Sequence, residues 1–251
     1  MRILGIDTAS AIASVALVDE GELIAEEFHE PAKSKVEAAS VRLGGNHAEF
    51  ILPAIQSLLE QTHTVVSSLS GLAVTIGPGS FTGVRIGLAT VKGLAYGCGL
   101  PVVGVSTLQA NAVRAKEFSG LICSLLDARK NEVYVALFRR DGEALSRLTE
   151  DAVGPIDFVI DLLRIHGITE KRPALLVGDG AVVYECQWTR SFGPSVKISL
   201  GREYGSLAAQ AARLSEHRFR SRSVDDVGAV EPIYLRWSEA ERKLRLSTLT
   251  S

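Results

Sequence analysis

Two acids stand at the ends of short apolar runs. Asp7 follows Ile3-Leu4-Gly5-Ile6, and Asp127 follows residues 121–126. Asp7-Thr8-Ala9-Ser10 belongs at the tip of a hairpin, where a carboxylate and hydroxyls can contact a nucleotide phosphate or a magnesium ion. A phosphate cradle normally needs a glycine beside the acid so that the backbone can approach the oxygens. Here Thr8 and Ala9 follow instead, and Asp7 could equally do no more than close an Asx-turn. The most distinctive string is Gly77-Pro78-Gly79-Ser80-Phe81-Thr82-Gly83. It lacks the Gly-Lys-Ser/Thr that closes a P-loop, and it is not the GxGxxG of a dinucleotide domain. A plain reading is a sharp strand-to-helix turn with Ser80 or Thr82 as cap. Gly178-Asp179-Gly180 after an apolar run could turn beside an adenosine, although so short a string is common.

Local chemistry nominates no catalytic residue and no metal site. A zinc-binding helix wants two histidines four apart, and His47 is followed at that spacing by Ile51. His29, His63, His166 and His217 are isolated. Neither G-x-S-x-G, HExxH nor a Cys–His signature occurs. Cys98, Cys123 and Cys186 are odd in number and widely spaced, which suits small core residues better than disulfides.

The elements that must carry these residues follow from patterning. Residues 3–7, 13–19 and 23–28 read as three antiparallel strands, with Asp19-Glu20-Gly21-Glu22 as a turn. Residues 30–46 read as a mobile loop or weak helix. Asn46 with Glu49 has capping-box spacing ahead of an apolar helix over 46–60 that contains Pro53. A strand over 71–76 feeds the glycine loop, then a helix over 81–97, then a strand over 102–105. Strands over 121–127, 132–139 and 143–149, the last two joined at Asp141-Gly142-Glu143, repeat the opening meander about 120 residues later. A helix over 156–166, strands over 174–177 and 196–198, and a helix over 205–217 complete the pattern. Duplicated α/β lobes facing a cleft are expected: residues 1–105, residues 106–217, and an extension over 218–251 that is partly flexible.

Helix 81–97 stands out. Between Thr82 and Tyr96 its charges are Arg85 and Lys92, on one stripe with Tyr96, and the rest is apolar or glycine. A surface helix has one apolar stripe, so a second face needs a cover, from this chain or from a partner.

Composition sets outer limits. The chain has 251 residues, 46% apolar and 22% charged, which fits a folded globular protein. A net charge of −2 disfavours nucleic-acid binding as a solitary activity. Apolar runs fall short of the roughly 18–20 residues of a membrane helix, so no membrane association is expected. The first residues meet an acid too early for a signal peptide, and the expected compartment is the cytoplasm.

Ile6-Asp7-Thr8, His47-Ala48-Glu49, the Gly77–Gly87 run, Leu126-Asp127-Ala128-Arg129, Gly178-Asp179-Gly180 and Pro232-Ile233-Tyr234-Leu235-Arg236 together resemble the TsaB (YeaZ) family over about residues 1–236. The resemblance implies an α/β actin/Hsp70/sugar-kinase-like (ASKHA) fold, with two lobes built on duplicated mixed sheets. It implies a noncatalytic subunit that dimerises with TsaD. TsaD transfers a threonylcarbamoyl group to the adenosine next to the anticodon of ANN-decoding tRNAs, with a metal held partly by a His-x-x-x-His pair. The family's partner surface would here be helices 46–60 and 81–97, through His47, Ile51, Leu52 and Ile55 on the first, and Phe81, Gly83, Val84, Gly87, Leu88 and Val91 on the second. The same surface would form a homodimer when TsaD is absent. TsaE, an ATPase, would join the pair, and tRNA would be met indirectly through the complex. No cofactor is firmly implied. Weak binding of ATP or ADP with magnesium at Asp7, Thr8, Asp127, Gly178, Asp179 and Gly180 stays open. The alternative from another class is a freestanding ASKHA ATPase or phosphotransferase. A metalloprotease is disfavoured by the missing second histidine.

Overall fold

The computed structural model describes residues 1–29, 47–201 and 205–236. The expected loop over 30–46, the Asn46 cap and the tail after Arg236 lie outside them. The chain opens with β1 (Arg2–Asp7), β2 (Ala13–Asp19) and β3 (Glu22–His29), an antiparallel meander. Strands β1 and β2 are buried on both faces and so sit mid-sheet, while β3 alternates between exposed and half-buried and forms an edge. Helix α1 (His47–Gln61) carries Pro53 on its exposed side. Strand β4 (Gly71–Thr75), helix α2 (Phe81–Cys98) and strand β5 (Val102–Val105) follow. Parallel pairing of β4 with β1 and β5 gives the order β3-β2-β1-β4-β5. The Ser80 hydroxyl accepts the Gly83 N–H, which makes Ser80 the cap of α2, and Gly99 ends the helix at φ 68°.

Helix α3 (Thr107–Val113) leads to the second sheet, made of β6 (Gly120–Asp127), β7 (Glu132–Asp141), β8 (Ala144–Arg147) and β9 (Ala152–Pro155). Helix α4 (Ile156–Ile165), strand β10 (Ala174–Val177), helices α5 (Asp179–Val183) and α6 (Glu185–Phe192), strand β11 (Val196–Ser199) and helix α7 (Leu207–Arg220) complete it. The order is β11-β10-β6-β7-β8, with β9 also on β7. Each sheet therefore has an antiparallel arm and a parallel arm, as the duplicated pattern led one to expect.

The expected boundary at residue 217 falls inside α7. That helix packs under the first sheet rather than in the second lobe. Gly5 makes this possible: a Cβ there would lie 2.0 Å from the Ala208 carbonyl oxygen. Gly71 likewise leaves room for the Phe219 ring. Ile3, Ala73, Val103, Ala211 and Phe219 form one core on this face, while Leu4, Ile6, Leu58, Val74 and Val91 form another beneath α1 and α2. Residues after α7 also return to the first lobe, where Asp225 N–H donates to the Val102 carbonyl and Ile233 N–H to that of Ile76.

Candidate functional site

The ends of β1, β6 and β10 face the gap between the sheets. The hairpin tip after Asp7 divides that gap. On one side is a cleft of about 760 Å³, lined among others by His47, Ser80, Asp127, Lys130, Asp179 and Arg236. On the other is a pocket of about 300 Å³, lined among others by Ile12, Phe28, Asn111, Arg114, Gly178 and Leu207. Asp127, Gly178 and Asp179 thus border the gap. Asp7 and Thr8 lie beneath it, fully buried.

The Asp7 carboxylate is used internally. One oxygen accepts the Ala9 N–H at 3.1 Å, which is an Asx-turn, and also the Thr75 hydroxyl, which ties the hairpin to β4. The other accepts the Ser10 hydroxyl at 2.6 Å. Burial pushes the Asp7 carboxyl above its ordinary range, while the bonds from Ser10, Thr75 and Ala9 and the nearby His47 pull it down. Thr8 donates its hydroxyl to the Gly83 carbonyl at 2.7 Å.

The glycine loop has a matching explanation. A Cβ on Gly83 would lie 1.9 Å from the Thr8 carbonyl oxygen, one on Gly87 2.4 Å from the Thr8 hydroxyl, and one on Gly79 2.3 Å from the Ala9 carbonyl oxygen. Ser80 N–H donates to that same Ala9 carbonyl. The glycines bring the start of α2 onto the hairpin tip, backbone against backbone.

The second hairpin is closed in the same way. Asp127 accepts the Arg129 N–H at 2.8 Å and the Tyr184 hydroxyl at 3.0 Å. Its own N–H donates to Asp179 at 3.0 Å. Burial raises the Asp179 carboxyl, and the charges of Asp127 and Asp7 add to this, against hydrogen bonds from the Asp127 and Gly180 N–H groups. A Cβ on Gly178 would lie 2.2 Å from the Leu125 carbonyl oxygen, so this glycine serves strand packing. The carboxylates of Asp7 and Asp127 thus have partners within the chain, and Asp127 and Asp179 line the cleft. Among the described residues no cluster of three His, Cys, Asp or Glu side chains could hold a metal. His47 borders the cleft, but Ile51, at the position a second ligand would take, points into the core with 1% exposure.

The two helices expected to meet a partner bury most of the residues expected on that surface. Ile51, Ile55, Gly83, Val84, Gly87, Leu88 and Val91 all lie in the chain's own interior. The physical reason is that α1 and α2 cover one face of the first sheet through Ile51, Ile55, Leu88 and Val91, while Gly83 and Gly87 press on Thr8. His47 and Phe81 are half-buried, and Leu52 is 56% exposed. On α2 one exposed line runs through Ala89, Gly93 and Gly97, flanked by half-buried Ile86, Thr90 and Leu94, while Thr82, Arg85, Tyr96 and Cys98 are exposed as well. Sequence patterning marked α2 as needing a second cover but did not identify the face. Residues 225–236 meet the Arg85–Lys92–Tyr96 stripe in part: Lys92 donates to the Gly228 carbonyl and Arg85 to the Tyr234 hydroxyl, while Tyr96 stays 70% exposed.

Among the described residues, no helix is long and apolar enough to cross a membrane. The family model for TsaD, tRNA N6-adenosine threonylcarbamoyltransferase, matches residues 42–186. The tRNA threonylcarbamoyladenosine biosynthesis protein TsaB of Bacillus subtilis is 30% identical over 243 residues, 97% of each chain. The Escherichia coli protein of that name is 41% identical over 143 residues, 56% of each chain. A solved Pseudomonas aeruginosa protein with similarity to peptidase YeaZ superposes with a TM-score of 0.71 at 24% identity, covering 94% of this chain and 99% of that one. The activator of 2-hydroxyisocaproyl-CoA dehydratase from Clostridium difficile superposes at 0.51 with 10% identity, covering 93% and 100%. The fold is that of the actin/Hsp70/sugar-kinase-like class. Identity carried along nearly the whole length settles the matter: the chain belongs to the TsaB family, and its role lies in tRNA threonylcarbamoyladenosine biosynthesis.

Proposed function

We propose that the chain is a noncatalytic binding subunit that pairs with TsaD and supports its transfer of the threonylcarbamoyl group to tRNA. The observation that carries this reading is the outward side of α2. A Cβ on Gly93 or Gly97 would meet nothing within 4 Å, so another backbone can approach closely, with Ile86 and Leu94 beside it and Leu52 on the adjacent helix. A sister subunit of similar fold presents helices of matching shape, and so does a second copy of this chain. The homodimer is then the form taken without TsaD. On this reading TsaE joins the pair, tRNA is reached through the complex, and the compartment is the cytoplasm. The engaged carboxylates of Asp7 and Asp127 support the absence of chemistry in this subunit.

Size-exclusion chromatography of this chain, alone and mixed with its TsaD counterpart, tests the pairing. Gly93→Glu should abolish the shared peak and leave the fold intact. A surviving complex would reject the interface. Titration of the lone chain with magnesium-ATP separates the freestanding ATPase: stoichiometric heat with turnover would favour that enzyme over the scaffold.

A further inference from the structure

The string Pro232-Ile233-Tyr234-Leu235-Arg236 lies beyond α7 and has no part in the reading above. Its segment starts from a firm anchor. Arg218 at the end of α7 grips Asp225 with two nitrogens, at 2.6 and 3.2 Å, and the same carboxylate accepts the Gly104 N–H at 2.7 Å. Val230 is buried against the core under α2. Ile233 pairs with the Ile76 carbonyl, and Gly77, at φ 104°, leaves the space that its carbonyl fills: a Cβ there would lie 2.7 Å from the Ile233 oxygen. Tyr234 then stacks on Phe81 at 4.6 Å between ring centroids, and its hydroxyl accepts from Arg85.

Beyond Tyr234 the segment leaves the first lobe. Arg236 donates to the Ala128 carbonyl at 2.7 Å, on the β6–β7 turn of the second lobe, and is ion-paired with Glu132, the first residue of β7. Residues 233–236 line the 760 Å³ cleft. Helices α3 and α7, through Asn111 and Leu207, line the 300 Å³ pocket on the other side of the hairpin tip, with Arg114 just past the end of α3. The lobes are thus joined by packed helices on one side and by this segment on the other.

We propose that residues 225–236 form a strap that sets the aperture of the cleft, with Arg236 as its latch on the second lobe. Closure is then a property of the chain itself and does not depend on a bound nucleotide. A guanidinium that holds a carbonyl and a carboxylate at once makes a charge-assisted fork that an ammonium cannot reproduce. The latch can nevertheless release without loss of the fold, because the rest of the strap is anchored in the first lobe.

Amide hydrogen exchange on the full chain tests this. Arg236→Ala should speed exchange roughly tenfold in residues 9–12 and 128–131, the scale of one lost charge-assisted bond. Tyr234→Ala should do the same, since it frees the strap before its crossing. Arg236→Lys should give a smaller rise. Amides of the β1–β2 ladder, residues 15–18, should stay at wild-type rates in all three variants. Unchanged exchange at both cleft turns in Arg236→Ala would overturn the proposal. Equal acceleration in the ladder would overturn it too, because Arg236 would then support the fold as a whole.

Discussion

Replacing Gly83 and Gly93 by alanine, two changes of identical chemistry ten residues apart on α2, should have opposite effects. At Gly83 the new methyl would lie 1.9 Å from the Thr8 carbonyl oxygen and 3.0 Å from its carbon. Both partners are backbone in a fully buried turn, so neither can rotate away. Overpacking of this kind costs about 3 kcal/mol. Pushing Thr8 aside also loosens its 2.7 Å bond to the Gly83 carbonyl, which removes about 1 kcal/mol. Better helix propensity returns about 1 kcal/mol. The net is a loss of about 3 kcal/mol. At Gly93 the methyl meets nothing within 4 Å, so the propensity gain of about 1 kcal/mol stands alone. Urea unfolding followed by tryptophan fluorescence measures both, and the two variants should differ by about 4 kcal/mol. A Gly83→Ala protein as stable as wild type would refute the claim that the glycine loop exists to seat α2 on the hairpin tip.

Three other outcomes follow from the same structure. The folded-state carboxyl of Asp7 lies above its unfolded value, so the folded chain binds more protons between the two and stability falls as pH rises through that window. Asp7→Asn should flatten this slope above about pH 4 and be no less stable than wild type at pH 7; a sharp loss there would show that the ionised form holds the turn. A charge at Gly87 or Leu88, both interior, should prevent folding, whereas Gly93→Glu should spare the fold and lose partner binding, as circular dichroism and gel filtration together can tell. Of the three thiols, Cys98 and Cys186 are exposed, while Cys123 is buried and its thiol is pushed up by burial. Ellman's reagent should therefore titrate two thiols in the native chain and a third only in denaturant.

Apolar, β-branched runs and turn residues were enough to find both meanders, because Val15 and Val18 in the first and Val133 and Val135 in the second lie in runs bounded by acid–glycine turns. The short helices α3, α5 and α6 were not visible. Each is five to eight residues long, too short for helical periodicity to separate from loop. The role of Gly5 could not be read either, since its neighbour Ala208 lies some two hundred positions away in the chain. On the site, the acids were located correctly on two hairpin ends, but whether their oxygens were free depended on Thr75 and Tyr184, contacts made only by the tertiary fold. The face of α2 was misjudged for the same reason. Its apolar residues outnumber its polar ones all round, so sequence could not tell which stripe the sheet would claim.

Because α7 lies under the first sheet, the front lobe is interrupted by the second one. A nascent chain leaving the ribosome carries β1 to β5 with one side bare until residues 207–220 have emerged. The inserted lobe, whose own sheet runs from Gly120 to Ser199, can close before the first one does. Completion of the front lobe therefore waits for the end of the chain, and the apolar underside around Ile3, Ala73 and Val103 is the surface left open to solvent or a chaperone in the interval.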